Sequence, residues 1–216
     1  MSLFEDIARI LPRMMEPLSA TLTIFVFTLL FSLPLGLIVA FGRMSRIKPI
    51  RWVAQVYLLV MRGTPLMLQL IFFWFGLELG GAGFSRLQTA IVAFSFNYAA
   101  YFAEIYRGGI ESIPVGQHEA ADVLGFSKSQ TFFRIILPQV VKKILPPMGN
   151  EFMTLVKDTS LAQVIAVVEI TSMAQKIQVS MVSLMPIIVA GIFYLIMNAI
   201  VSKGFSLAEK KLGYYR

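Results

Sequence analysis

The segment QHEAADVLGFSKSQTFFRIILP, residues 117–138, is a polar and charged stretch between two strongly apolar parts of the chain. The residues before Gly125 favour a short helix, and Gly125 can adopt the positive φ that ends one. Ser127, with Gln130 three residues later, is typical of a capping box and predicts the start of a second helix. Pro138 would perturb the end of that helix, which is too short to cross a bilayer. We therefore predict two short helices with a glycine joint, lying in water and suited to lie against another protein or against the inner ends of the spans.

The rest of the chain has the composition of a polytopic membrane protein. Its 216 residues are 57% hydrophobic and 14% charged, whereas soluble domains are roughly half apolar and about a quarter charged. The net charge of +7 comes from basic residues in short segments between apolar runs, which is typical of orientation signals rather than of nucleic-acid binding. The chain has no cysteine and one histidine, His118, so no disulfide framework and no Cys- or His-cluster metal site is expected.

Five apolar stretches are predicted to span a membrane: residues 18–41, 52–79, 87–106, 147–168 and 181–202. The first is uncharged for 24 residues, and at about 1.5 Å per residue it exceeds the roughly 30 Å of a bilayer core. The segments 43–51, 107–146 and 203–216 carry net charges of +4, +2 and +3, which predicts a cytoplasmic location for all three. The expected fold class is therefore all-α integral membrane, with five transmembrane helices, the amino terminus outside and the carboxyl terminus in the cytoplasm.

This topology divides the chain into a membrane domain with two short terminal segments. Residues 1–17 are predicted to be an extracytoplasmic interfacial segment, either an amphipathic helix or a frayed tail. Residues 18–202 form the transmembrane domain, and its cytoplasmic loop 107–146 contains the 117–138 segment. Residues 203–216 are a basic cytoplasmic tail. The amino-terminal residues lack the basic start and apolar run of a cleavable signal peptide.

The sequence contains none of the common catalytic motifs. A phosphate-binding loop of the form GxxxxGK[ST], an HExxH zinc motif, a GxSxG nucleophile turn and paired catalytic carboxylates are all missing. We therefore expect no enzyme activity, no cofactor and no metal in this chain, and a function that depends on the membrane and on partners.

Four motifs carry a family resemblance. The first is Glu119-Ala120-Ala121, with Gly125 four residues later and, after nine further residues, Ile135-x-Leu137-Pro138. The other three are Arg62-Gly63-Thr64-Pro65-Leu66 with Gln69, Tyr101-x-x-Glu104-x-x-Arg107-Gly108-Gly109, and Lys157-Asp158-Thr159-Ser160-Leu161. Together they resemble the permease subunits of bacterial ABC importers, and within them the polar amino acid permeases of the histidine/glutamine type. The resemblance extends over most of the chain.

The resemblance implies a role for the loop 107–146, which is called the EAA loop in this family. It would form the coupling helix that docks on a cytoplasmic ATPase, with Glu119 contacting the ATPase, Ala120 and Ala121 allowing close approach, and Gly125 making the bend. The alternative is that these residues only cap and pack a surface loop. The implied partners are an ABC ATPase dimer that holds ATP–Mg, a second permease subunit (identical or related) and an extracytoplasmic solute-binding protein.

Several polar groups are predicted to lie at membrane depth, where an uncompensated charge costs several kcal/mol and normally faces a cavity or a partner. An amino acid substrate carries an ammonium and a carboxylate, so its path needs both acceptors and donors. The candidate substrate path consists of Arg62, Thr64, Gln69, Asn97, Asp158, Thr159 and Ser160. Alternatively, Arg62 extends to the cytoplasmic interface and Lys157 with Asp158 pairs with neighbouring helices.

Two acidic residues, Glu104 and Glu151, are not assigned to this path. Glu104 and Arg107, three residues apart on one helix, are expected to form a structural ion pair. Glu151 is expected near the inner membrane surface and is left out of the path.

The predicted function is that of the transmembrane permease subunit of an ATP-driven importer, moving polar amino acids across the bacterial inner membrane by alternating access as a multi-pass protein. The alternatives are a subunit of an ATP-independent, ion-coupled carrier or channel, which would need no ATPase, and a structural membrane scaffold. The acidic Asp158 and the broken second span disfavour the scaffold.

Overall fold

A computed structural model describes residues 3–213, with side chains from Ile7 onward, and all regular elements in that range are helices. Residues 1–2 and 214–216, which belong to the predicted terminal segments, lie outside the described residues. The helices are α1 (Leu3–Met44), α2 (Lys48–Gly63), α3 (Leu66–Leu79), α4 (Arg86–Glu111), α5 (Val115–Val123), α6 (Lys128–Gln130), α7 (Leu137–Asp158), α8 (Ile170–Met181) and α9 (Met185–Lys211). A π-helical turn, Thr131–Ile136, precedes α7, and a 3₁₀ helix, Thr159–Ile165, follows it.

Helix α4 lies at the centre of the fold. Its aromatic side chains Phe94, Tyr98 and Phe102 are fully or almost fully buried. They pack in one cluster with residues of α1, α3 and α7, among them Ile24 and Leu155. Many large apolar side chains elsewhere are exposed, as expected for helices whose outer surface contacts lipid or a partner subunit.

The most extensive helix pair is α1 with α4. At Gly36 of α1 the two backbones approach so closely that an added β-carbon would lie 2.9 Å from Cβ of Phe102 and 3.0 Å from the carbonyl oxygen of Ala99. The buried residues Ser32 and Ala40, one turn on either side of Gly36, are also small. Small residues allow this close approach, on which membrane helices depend because lipid is as apolar as their side chains.

Helix α1 includes the segment that was predicted to be interfacial. The helix is continuous from Leu3 and contains Pro12 and Pro17, so residues 3–17 form its first turns rather than a separate helix. Ile10 and Met14 in this part are fully buried and pack against α8 and α9. Their apolar surface is removed from water by protein contacts.

Two of the described helices are long and apolar enough to span a membrane: Ile7–Met44 and Met185–Lys211. The α2–α3 pair meets the same criterion as a unit but is bent by 111°, so the predicted second span 52–79 is two helices with a sharp break. The predicted fourth span 147–168 corresponds to the second half of α7 and to the 3₁₀ helix, which is capped by Ala166 with φ 59°.

The second short helix of the 117–138 segment does not end near Pro138, contrary to the expectation. Helical structure runs from Lys128 through the π-helical turn into α7 without interruption. Pro138 stands in the first turn of α7. Single π-helical turns occur inside longer helices, where they can kink the helix axis. The loop is therefore joined to the membrane domain by a continuous helix.

Candidate functional site

The break between α2 and α3 shapes the candidate site. Thr64 is extended, with φ −118° and ψ 147°, and Pro65 caps α3 without any side-chain hydrogen bond. Proline has no N–H and disfavours helical geometry in the residue before it, so the helical hydrogen bonds stop here. The last carbonyl groups of α2 then need other donors.

Two buried amide side chains supply most of those donors. Gln69 Nε2 donates to the carbonyl of Met61 at 3.0 Å and to Thr64 Oγ1 at 2.8 Å. Asn97 Nδ2 donates to the same carbonyl and to Gln69 Oε1, both at 2.9 Å. Thr64 Oγ1 donates to the carbonyl of Val60 at 2.8 Å. Gln69 and Asn97 thus stabilise the break between α2 and α3.

A cavity of about 430 Å³ lies beside the break. It is lined by Arg62, Gly63, Thr64, Pro65, Leu66, Asn97, Tyr98, Tyr101, Glu151, Thr154 and Asp158. Four of the seven predicted path residues line it: Arg62, Thr64, Asn97 and Asp158.

The other three predicted path residues lie outside this lining. Gln69 is buried behind the break. Thr159 donates to the carbonyl of Val156 at 2.7 Å, and Ser160 donates to that of Lys157 at 2.8 Å. The two hydroxyls thus stabilise the turn at the end of α7 and are not directed at the cavity.

The cavity contains two carboxylates on one face of α7, Glu151 and Asp158, with Thr154 between them. The hydroxyl of Tyr98 donates to Oδ2 of Asp158 at 2.7 Å. Glu151 lines this cavity, whereas the sequence analysis expects it near the inner membrane surface and outside the path. The sequence signal was its seven-residue spacing from Asp158, which is two helical turns and puts both on one face.

Arg62 connects this cavity to a chain of ion pairs. Its guanidinium carbon lies 5.5 Å from the centre of the Tyr101 ring, and its Nη1 lies 3.5 Å from Oε2 of Glu104. Glu104 in turn accepts two hydrogen bonds from Arg107, at 2.7 and 3.1 Å, which confirms the predicted ion pair. Arg107 also binds Glu111, close to the end of α4.

Beyond α7, a carboxylate missed by the sequence analysis organises the start of α8. Glu169 is fully buried and accepts hydrogen bonds of 2.7 Å from the backbone N–H groups of both Thr171 and Ser172. It also accepts one of 3.0 Å from the hydroxyl of Tyr194 on α9. Burial raises the pKa of Glu169 above its ordinary value, and these hydrogen bonds oppose the rise. Its sequence signal was the capping box with Ser172.

The 117–138 segment has the predicted glycine joint. Gly125 has φ +74°, its N–H donates to the carbonyl of Asp122 and the N–H of Phe126 donates to that of Ala121, each at 3.0 Å. This is the Schellman pattern of a helix end. The capping box of Ser127 and Gln130 is also present. Both predictions are confirmed.

The exposed side of this segment is partly apolar. Glu119 and Ala120 are exposed, whereas Ala121 is buried and packs within the chain. Four large apolar side chains around them are more than half exposed: Val115, Val123, Leu124 and Phe133. Exposed apolar groups concentrated in a polar loop are typical of a surface that contacts a protein or a membrane.

No group of three His, Asp or Glu side chains in residues 7–213 is arranged to hold a metal ion. The candidate site has two parts, the cavity beside the break and the exposed surface of the 117–138 segment.

Residues 32–213 match the family described as "Binding-protein-dependent transport system inner membrane component". The chain is 41% identical over 157 residues to the L-cystine transport system permease protein TcyB of Bacillus subtilis (strain 168), covering 73% of this chain and 67% of that protein. It is 36% identical over 204 residues to the arginine transport system permease protein ArtQ of the same strain, covering 94% and 93%.

A solved structure extends the similarity to the fold. The crystal structure of an amino acid ABC transporter with histidines contains a chain that is 34% identical, with a TM-score of 0.88. The match covers 98% of this chain and 99% of that one.

Proposed function

This chain belongs to the family of binding-protein-dependent transport system inner membrane components, and from that premise we propose that it carries polar amino acids through the cavity beside the α2–α3 break. It is a permease subunit of an ATP-driven importer in the bacterial cell membrane and is not itself an enzyme. Membership of this family excludes the alternative that the chain is a subunit of an ATP-independent, ion-coupled carrier. The observation that carries the proposal is that two carboxylates, Glu151 and Asp158, line the same cavity as a cationic group, Arg62.

The cavity suits a zwitterion. The free Oδ1 of Asp158 and the carboxylate of Glu151 accept hydrogen bonds from the substrate ammonium. The substrate carboxylate lies toward Arg62 and the start of α3, whose first N–H groups have no side-chain cap. The positive end of a helix that begins within the membrane favours an anionic group. Relatives named for the transport of L-cystine and arginine support an amino acid substrate.

The arrangement in the membrane follows from charge. We infer five spans, made by α1, the α2–α3 pair, α4, α7 and α9, with the amino terminus outside and the carboxyl terminus in the cytoplasm. The basic connections 43–51, 107–146 and 203–216 then all lie on the cytoplasmic side. Five spans are too few to enclose a path, so a second permease subunit, identical or related, completes it.

The exposed surface of α5 is proposed to dock on a cytoplasmic ATPase dimer that holds ATP–Mg. Glu119 and Ala120 offer the contact, and Val123 and Leu124 offer apolar surface that needs a partner. The buried Ala121 and the joint at Gly125 fix the direction of the helix. The continuous helix from Lys128 into α7 then transmits movement of the ATPase to the part of α7 that carries Glu151 and Asp158.

Transport then follows from a shift between two states. Closure of the ATPases on ATP moves the coupling helices and biases the permeases from inward-open to outward-open. A solute-binding protein delivers the amino acid at the outer face. Reopening of the ATPases then returns the permeases to the inward-open state, from which the amino acid reaches the cytoplasm.

The proposal is tested by substrate uptake into proteoliposomes that contain the assembled complex, competed by a panel of amino acids. Asp158→Asn keeps the shape of the side chain and the contact with Tyr98 but removes the charge. We expect it to raise the KM for uptake at least tenfold, since a charge-assisted hydrogen bond is worth roughly 1.5–3 kcal/mol. Ser160→Ala, outside the cavity lining, serves as the matched control.

Unchanged KM and rate in an intact Asp158→Asn complex would contradict the assignment of this cavity. Competition by sugars or metal ions instead of amino acids would contradict the substrate class.

A further inference from the structure

A separate polar cavity of about 580 Å³ lies between α5 and the first turns of α7. It shares no residue with the cavity beside the break. Three cationic side chains line it: Arg134, Lys142 and Lys143. The described residues place no acidic group within ion-pair distance of any of the three. The cavity therefore has an uncompensated positive charge.

The cavity is held in shape by hydrogen bonds across it. Gln139 Nε2 donates to Gln117 Oε1 at 3.1 Å and to the carbonyl of Ile135 at 2.8 Å, which ties α5 to α7. Lys143 Nζ donates to the carbonyl of Ser112 at 2.6 Å, which ties the end of α4 to α7. These bonds fix α5 and the end of α4 against α7 and hold Lys143 in place before a ligand arrives, which lowers the cost of binding.

Two close contacts indicate where the cavity lies along the membrane normal. Ile144 packs directly onto Gly109, two residues beyond Arg107 on α4. Gly149 packs on the ring of Phe205, two residues beyond Lys203 on α9. Arg107 and Lys203 are the first charges after the predicted spans 87–106 and 181–202. Residues 142–146 of α7 therefore lie level with the cytoplasmic ends of the spans, where phospholipid headgroups are found.

We propose that this cavity binds a phosphate group, presented by the headgroup of an anionic phospholipid of the inner leaflet. Guanidinium and ammonium groups are the usual protein ligands of phosphate, and basic pockets between membrane helices on the cytoplasmic side suit such headgroups. Ile135 and Pro146, which also line the cavity, offer apolar surface for the start of an acyl chain.

The bound headgroup would join α5, which carries the coupling surface, to the helix that carries the substrate cavity. The site is one of lipid recognition and is additional to transport. It rests on the proposed orientation of the chain but not on the assignment of the substrate, so binding is measured without transport.

The test uses the full chain in its purified permease complex. The complex is reconstituted in nanodiscs of equal parts phosphatidylglycerol and phosphatidylcholine, then released into mild detergent, and the phosphatidylglycerol retained is counted by native mass spectrometry. We expect retention above that of phosphatidylcholine. The double variant Arg134→Gln with Lys142→Gln should weaken it by about fivefold for each cation removed. Lys143 is left unchanged because it anchors the Ser112 carbonyl.

Two further variants keep the test decisive. Lys210→Gln with Lys211→Gln removes two exposed lysines that lie on the same cytoplasmic side but outside the cavity. This variant should leave the retention of phosphatidylglycerol unchanged. Lys142→Arg keeps the charge and should also retain the lipid. If the double variant does not assemble, Lys142→Gln alone is measured against Lys142→Arg.

Three outcomes would overturn the proposal. Equal retention in the parent complex and in the charge-removing variant would show that the cations do not hold lipid. Binding of inorganic phosphate to the delipidated complex without retention of phosphatidylglycerol would assign the site to a soluble anion. The double variant could also lose association with the ATPase. If that loss were equal in nanodiscs of phosphatidylcholine alone and in the mixed nanodiscs, the cations would face the ATPase and not a lipid.

Discussion

The hydroxyl of Tyr98 on α4 donates a hydrogen bond of 2.7 Å to Oδ2 of Asp158 at the end of α7. The two residues are 60 positions apart in the chain. The bond occupies one oxygen of a carboxylate that lines the cavity. Tyr98 is thus a positioning residue for Asp158, and the pair connects the central helix of the fold with the wall of the candidate site.

Removing this bond should weaken substrate binding without unfolding the protein. In Tyr98→Phe the ring remains packed between Phe94 and Phe102, but Asp158 loses its orientation. We expect the KM for uptake to rise about fivefold, which corresponds to ~1 kcal/mol for one hydrogen bond. Tyr106→Phe, on the same helix and outside the cavity lining, should leave the KM unchanged. A Tyr98→Phe complex with parental KM would contradict the positioning role.

The amide pair at the break should affect stability more than substrate affinity. Gln69→Leu leaves the Met61 carbonyl with one donor fewer and removes the acceptor for Asn97. Loss of a buried hydrogen-bond partner costs roughly 1–3 kcal/mol, so the Tm of the purified complex should fall. Gln55→Leu, on an exposed part of α2, is the control. If Gln69→Leu changed substrate preference at parental Tm, Gln69 would be a substrate ligand after all.

The close approach of α1 and α4 predicts strong sensitivity at one glycine. An alanine methyl at Gly36 would overlap Cβ of Phe102 and the backbone of α4. We expect Gly36→Ala to destabilise the fold by roughly 1–3 kcal/mol, because overpacking forces the helices apart. Gly76 in α3 has no atom near its missing β-carbon, so Gly76→Ala should be neutral or stabilising. Thermal unfolding in detergent compares the two, and equal Tm values would refute the packing argument.

The glycine joint of the 117–138 segment should matter for coupling. Gly125→Ala forces a side chain into the left-handed region at a cost of about 1 kcal/mol, which should distort the end of α5. We expect intact spans but reduced stimulation of ATP hydrolysis by the solute-binding protein. Gly116→Ala within α5, where the β-carbon meets open space, should instead favour the helix and keep coupling. Full stimulation in Gly125→Ala would argue against the bend as a coupling element.

Local patterns in the chain were sufficient to predict several features. Gly125 was expected to adopt a positive φ because the run before it favours a helix and glycine is the residue that ends one without strain. The break at Pro65 was expected because proline lacks an N–H, and the Glu104–Arg107 ion pair because residues three apart share a helix face. Each depends on residues within one turn of each other, where chain geometry leaves few alternatives.

The membrane character, the helical fold class, the broken span and the two-helix form of the 117–138 segment were thus determined by the sequence itself. Tertiary packing decided the content of the site. Through this packing Gln69 and Asn97 donate hydrogen bonds to the carbonyl at the break. Tyr98 lies within hydrogen-bond distance of Asp158, and Glu151 lines the cavity. Tertiary packing also buried Ala121 and joined the 117–138 segment to α7 in one continuous helix. The physical reason is that these contacts join different helices, and their distances depend on how closely small residues such as Gly36 let those helices pack.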